Sequence, residues 1–375
     1  MKDLSLYIHI PFCESKCHYC NFVSFKKSES EKEKNINYLL KEIKLNATKE
    51  FLVNTIFIGG GTPSCLNNGD ILKISNAIKE NFNLSKNLEF TIEANPNSFT
   101  IEKAKEYKKA GINRISFGLQ SANNKLLKLI NRIHTKKDFI NAVKIAKQVG
   151  LKNINADILL GLPNQKIRDV KSTLKLIIKL NLPHVSCYSL ILEESTALYK
   201  MVEENKLKLP KDEKTLKMYD FTLKYLQKHK IFRYEVSNFA KAGFKCMHNL
   251  TYWNLSNYLG LGLNSHSKIE NVRFENFSDF TNYYKCLDEN QKPIKEKTQL
   301  SLIDQKEEFI MLGLRKSNGI NLKEYQNLFN ENLEIVKAKE IDFLLKNNLI
   351  EIVNNNLFAT NLGFKVLNQI ILKLI

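Results

Sequence analysis

The chain is poor in arginine, has few thiols outside one cluster, and lacks any long apolar run. Only six arginines occur (Arg114, Arg132, Arg168, Arg233, Arg273 and Arg315), so the other 51 of its 57 basic residues are lysines. These lysines are spread along the chain among Asn and Ile. The net charge of +18 therefore reads as a solvated, lysine-rich surface; no nucleic acid is expected as a partner. No stretch approaches the roughly 20 apolar residues that span a bilayer, and the tail "QIILKLI" reads as a packed helix end. The basic-then-apolar opening is too short for a signal peptide. Internal repeats and low-complexity linkers are also missing. The seven cysteines (13, 17, 20, 65, 187, 246 and 286) are odd in number, and three are clustered. That speaks against a disulfide framework and for a metal site in a reducing compartment. The expected location is cytoplasmic.

Hydrophobic content of 43% and charged content of 26% over 375 residues fit a globular protein with one large domain and a smaller one. Short apolar runs alternate with lysine-rich amphipathic segments. "LSLYIHI", "NTIFIGG", "LEFTIEA", "RISFGLQ", "NINADILLG" and "HVSCYSLIL" read as strands. Helices are predicted between them, around 31–50, 68–81, 100–110, 136–149 and 167–181. Such β-α alternation indicates a parallel sheet. Six units between residue 4 and about 205 predict an α/β fold, an incomplete (βα)6 TIM-like barrel over 1–210. An open flavodoxin-like sheet is the alternative. In a barrel, functional groups sit at the carboxyl ends of strands, and those ends carry Glu93, Gln120 and Asp157.

Residues 211–300 are less regular and rich in aromatics; they are expected to extend the barrel. From about Ser301 three helical segments (302–315, 321–329 and 334–347) lead to "LIEIVNNNLFAT". That stretch predicts a hairpin turning at Asn354–Asn356, with a last helix over 361–374. The order over 301–375 is that of a small winged-helix-like α+β domain.

"YIHIPFCESKCHYCNF", Tyr7 to Phe22, carries Cys13, Cys17 and Cys20 in a C-x3-C-x2-C spacing. No fourth cysteine follows within 40 residues, so these thiols cannot close a structural tetrahedral zinc site unaided. Three thiolates on one loop can instead hold three irons of a cubane [4Fe–4S] cluster. One iron then stays open for a small molecule.

This spacing after a first barrel strand resembles the radical S-adenosylmethionine (SAM) superfamily, in which SAM chelates the open iron. "GGGTPS" at 59–64 strengthens the likeness, since glycines let backbone approach a ligand closely. "YIHIPFC", "GGGTP", "TIEANP", "SFGLQS", "INRIH", "ADILLGLP" and "HNLTYWN" narrow it to the branch of coproporphyrinogen dehydrogenases and heme chaperones. The resemblance implies that Cys13, Cys17 and Cys20 hold the cluster. It implies that Tyr7 and Tyr19 flank the cofactor and that Gly60, Gly61 and Thr62 line the SAM site. Glu93 matches a SAM-contacting carboxylate. Gln120, Arg132 and Asp157 match positions that hold a second SAM in the dehydrogenase. The residue types suit those roles: Arg pairs with a carboxylate, and Asp or Glu accepts from ribose hydroxyls or an ammonium.

Two departures separate this chain from the dehydrogenase pattern. Phe22 replaces a further cysteine, and Tyr7 lies nearly at the start, without an N-terminal extension. Both are features of the heme chaperone branch. "CMHNLTYWN", Cys246 to Asn254, resembles that branch's H-N-x-x-Y-W motif. It makes His248 a candidate heme ligand, with Cys246 as a second, and lets Tyr252 and Trp253 pack on a porphyrin face. The resemblance thus implies a heme chaperone with a [4Fe–4S] cluster, SAM and heme, serving acceptors such as respiratory cytochromes. Oxygen-independent oxidation of coproporphyrinogen III is the alternative. Transient contact with a membrane surface and a homodimer are left open.

Overall fold

The computed structural model describes all 375 residues. Its larger part winds strand by helix: β1 (Lys2–Ile10), α1 (Glu29–Leu45), β2 (Thr48–Gly60), α2 (Asp70–Asn81), β3 (Phe82–Ala94), α3 (Ile101–Ala110) and β4 (Arg114–Gln120). A short α4 (Asn124–Leu129) precedes α5 (Lys136–Gln148), β5 (Asn153–Leu160), α6 (Ile167–Lys179) and β6 (His184–Ser189). β1 to β6 pair in parallel and in sequence order. A flavodoxin-like sheet would reverse direction at a switch point; this one never does, which is the single winding of a barrel. Leu6, Ile8, Ile10, Ile56, Ile58, Ile92, Ile115 and Phe117 are fully buried, as expected for strands covered on both faces.

Residues 211–300 extend both edges of this sheet. α7 (Ala197–Glu203) and α8 (Asp212–Lys228) lead to β7 (Phe232–Arg233) and β8 (Asn238–Ala240), and β8 pairs antiparallel with β6. After α9 (Met247–Trp253), β9 (Tyr258–Leu261) returns to pair in parallel with β1. β10 (His266–Ile269), β11 (Val272–Asn276), α10 (Phe280–Asp288) and β12 (Ile294–Gln299) complete that side. The result is one open 12-stranded sheet. α8 was not expected: its apolar side chains are diluted by exposed Lys. The predicted 31–50 helix stops at Leu45, because Asn46 bonds back to the carbonyl of Glu42 and the chain turns into β2.

The last part has its own core of 17 buried residues. α11 (Leu302–Gly313), α12 (Leu322–Phe329), α13 (Leu333–Val336) and α14 (Ala338–Lys346) pack on a sheet of β13 (Ile320–Asn321), β15 (Asn356–Ala359) and β14 (Ile350–Val353). The helix expected at 334–347 is split at Lys337. That expected at 361–374 is a 3-10 turn, Gly363–Val366, followed by α15 (Leu367–Leu374). Low glycine content has a visible consequence: Asn fills ten of the fourteen non-glycine positions with positive φ, because its short polar side chain tolerates the left-handed region. No helix is long and apolar enough to cross a membrane.

Candidate cofactor site

A cavity of about 350 Å³ opens at the carboxyl ends of the parallel strands, and Cys13, Cys17 and Cys20 line it together. All three thiols are free. No group of three His, Cys, Asp or Glu side chains is placed to hold a single metal ion. Burial pushes the Cys20 thiol up. Cys65 and Cys187 are buried elsewhere.

The loop that carries the thiols is stitched to its neighbours by backbone. Gly61 N–H donates to the Ile10 carbonyl at 2.8 Å, Thr62 N–H to Phe12 at 2.7 Å, and Cys13 N–H to Phe25 at 3.0 Å. This explains the glycines after β2. A Cβ on Gly61 would lie 2.5 Å from the Phe12 carbonyl oxygen. Gly60 has φ of +109°, and a Cβ there would strike the His9 ring at 2.5 Å. His9 is buried, and its Nε2 lies 3.3 Å from the Val23 carbonyl. The Thr62 hydroxyl faces the Cys13 sulfur at 3.4 Å.

Opposite the thiols stand two carboxylates. Glu93 accepts the Gly60 N–H at 3.2 Å; burial, and then the charge of Asp157, push it up to about 8. Asp157 is also raised by burial, against the hydrogen bonds of Asn155 (2.7 Å) and Ser116 (3.2 and 3.3 Å). Arg132 supplies the cation. It donates to Asn95 Oδ1 at 2.5 Å, the Gly118 carbonyl at 2.9 Å and Cys17 Sγ at 3.5 Å. Gln120 reaches the cavity from a left-handed backbone with φ of 60°, a conformation uncommon off glycine. A pair of raised carboxylates beside open backbone and one arginine suits a ligand that brings both an ammonium and a carboxylate.

The structure thus brings Tyr19, Gly60, Gly61, Thr62, Glu93, Gln120, Arg132 and Asp157 to one cavity with the cysteines. Tyr7 is not among the lining residues; it stands on the face of β1 opposite Leu6 and Ile8, with its hydroxyl 3.0 Å from His9 Nδ1 and its ring stacked on Phe57. His248 is a correction. It is 1% exposed, with Nδ1 2.7 Å from the Thr55 hydroxyl and Nε2 2.9 Å from the Tyr252 hydroxyl. Both ring nitrogens are engaged, so neither is free for an iron. Cys246 is also fully buried, 3.4 Å from a Glu89 carboxylate oxygen. Asn95, Ser116 and Tyr188 line the cavity without having been picked out. Asn95 sits inside the motif "TIEANP" and was legible there; Ser116 and Tyr188 carry no local signal. Phe22, 67% exposed, stands at the rim.

Comparison with known proteins follows the same lines. Residues 7–177 match the radical SAM superfamily, and residues 300–366 match the HemN C-terminal domain. The heme chaperone HemW of Bacillus subtilis (strain 168) is 34% identical over 369 residues, covering 98% of this chain and 97% of that protein. HemW of Buchnera aphidicola subsp. Schizaphis graminum is 38% identical over 350 residues, with 90% of each chain covered. Among solved structures, coproporphyrinogen III oxidase (HemN) from Escherichia coli, a radical SAM enzyme, superposes with a TM-score of 0.87. It is 21% identical, with 100% of this chain and 90% of that one covered; at that identity the likeness concerns the fold, a radical SAM TIM-like barrel with a C-terminal domain.

Proposed function

The chain belongs to the heme chaperone HemW family of the radical SAM superfamily, and from that membership we propose that it binds heme and passes it to acceptor proteins such as respiratory cytochromes. Cys13, Cys17 and Cys20 would hold the [4Fe–4S] cluster that this superfamily carries. That all three thiols line one cavity supports a group held there by all of them. SAM fills the rest of the cavity. Gly60 to Thr62 offer it backbone, the Glu93 and Asp157 carboxylates face its ammonium and ribose hydroxyls, and Arg132 faces a carboxylate or steadies the Cys17 thiolate. When bound, such a cluster would supply one-electron reducing power beside SAM, and these residues would hold the two together.

Phe22 is the observation that carries the carrier reading over the enzyme. It occupies the cavity rim, at the position where the dehydrogenases resembled here have another cysteine. A phenyl ring can supply neither thiolate nor proton. The test is anaerobic reconstitution of the cluster, followed by two assays on one sample. Heme is expected to remain bound through desalting. With SAM and a reductant, coproporphyrinogen III is expected to yield no protoporphyrinogen IX; product above a cluster-free control would make the protein the oxidase.

A further inference from the structure

The burial of His248 and Cys246 leaves open where heme would sit. A second groove, of about 490 Å³, lies between β7, β8, α9 and the turn after α11. Ala240, on its wall, pairs with His184, the first residue of β6. The groove is therefore at the amino ends of the parallel strands, across the barrel from the cysteines.

Four cations line it, Arg233, Lys241, Lys245 and Lys316, and no carboxylate does. Each has only neutral hydrogen-bond or ring partners, although the Glu324 carboxylate, outside the lining, also acts on Lys316. Arg233 donates to the Tyr219 hydroxyl at 3.1 Å and to Asn361 Oδ1 at 3.0 Å, while its Nε is buried with no acceptor. Lys241 reaches Asn181 Oδ1 at 2.6 Å and Lys316 reaches Asn254 Oδ1 at 2.9 Å. Lys245 lies 5.9 Å above the Tyr234 ring. The nearby Glu235 is fully buried and turned toward the Ser237 N–H. Four like charges around one concavity repel one another, and an anion in their midst is attracted by all four. The remaining wall is apolar. Phe232 is 53% exposed there, beside Leu250 and Ala242; a small inorganic anion would have no use for it.

We propose that this groove takes a planar, apolar dicarboxylate, the propionate side of a porphyrin, a proposal that rests on the heme-carrier reading above. The carboxylates meet the lysines and Arg233, and the ring lies against Phe232 and Leu250. No imidazole or thiol lines the groove, so the ligand is held by its carboxylates and its face, not by its iron. Iron-free porphyrin is then as good a ligand as heme.

The test uses the full chain with its cluster reconstituted, titrated with hemin, with iron-free protoporphyrin IX and with protoporphyrin IX dimethyl ester, read by porphyrin fluorescence and absorbance. Lys241→Glu/Lys245→Glu changes two solvent-reaching side chains and is checked for unchanged cluster absorbance. Expected are binding of hemin and the iron-free acid with similar affinity, and a loss of about tenfold or more for the ester and for the double variant. Equal binding by the double variant places the porphyrin elsewhere and overturns the proposal. Binding of hemin alone, with no binding of the iron-free acid, makes iron ligation the anchor; it overturns the proposal and leaves the carrier reading standing. Binding of neither overturns both.

Discussion

An N–H of the Arg132 guanidinium points at the Cys17 sulfur from 3.5 Å. The same group bonds the ends of β3, at Asn95, and β4, at Gly118. One side chain thus ties the cysteine loop to two strand ends and presents a fixed positive charge to the Cys17 sulfur.

Loss of any one of Cys13, Cys17 or Cys20 to Ala is expected to abolish the cluster's charge-transfer absorbance after reconstitution. Cys187→Ser and Cys286→Ser should keep it. Arg132→Lys keeps the charge but not the fork that reaches three acceptors, and is expected to retain less iron and sulfide after desalting than the parent. Full absorbance in a Cys17→Ala sample would remove the loop from the assignment.

Glu93 is held up to about 8, against an ordinary value of 4.5, by burial first and Asp157 second. A raised carboxyl makes the folded chain bind its proton more tightly than the unfolded chain does. Stability therefore falls as pH rises from about 4.5 toward 8. Glu93→Gln removes that slope, so the melting temperature of the cluster-free variant should drop less than the parent's between about pH 5 and pH 8.5. In the cluster-loaded protein the same change should weaken SAM binding about ten- to a hundredfold, the worth of one charge-assisted hydrogen bond. Calorimetry giving an unaltered affinity would refute the contact.

Glycine is required at two successive positions for different reasons. Gly60→Ala meets both a left-handed φ and the His9 ring, and Gly61→Ala meets the Phe12 carbonyl. Gly150 has a positive φ with nothing near its absent Cβ, so Gly150→Ala isolates the backbone term, about 1 kcal/mol. In urea unfolding Gly60→Ala should cost clearly more than Gly150→Ala, and Gly61→Ala should also impair cluster retention. Equal costs for the Gly60 and Gly150 changes would mean that the β2–cysteine-loop contact yields freely.

His248→Ala is expected to act on stability, not on heme. It leaves the Thr55 and Tyr252 hydroxyls short of a buried partner, a cost of about 2–4 kcal/mol. Heme bound per folded molecule should be unchanged. A variant of parental stability that had lost its heme would restore His248 as a ligand.

Much of the barrel was legible locally. β4 matches its predicted span, Arg114–Gln120, because it is buried over most of its length, begins after a left-handed Gly111 and ends at a conformational break. The start of α1 could have been read from Ser28 and Glu31, which form a capping box. Its end could not: "KEFLVN" is helix-like in charge, and becomes strand only because β1 and β3 lie on either side to pair with it.

By itself the sequence determined the order of strands and helices, the loop that carries three thiols, and the glycines that follow β2. Each is written in side chains within a few residues of one another. Only the tertiary structure decided that Glu93, Gln120, Arg132 and Asp157 line one cavity with those thiols, and that both ring nitrogens of His248 are already taken. It also decided that four scattered cations meet at the far mouth of the barrel. Burial, desolvation and hydrogen-bond pairing depend on which distant segments are neighbours, and sheet pairing, not local pattern, sets those neighbours.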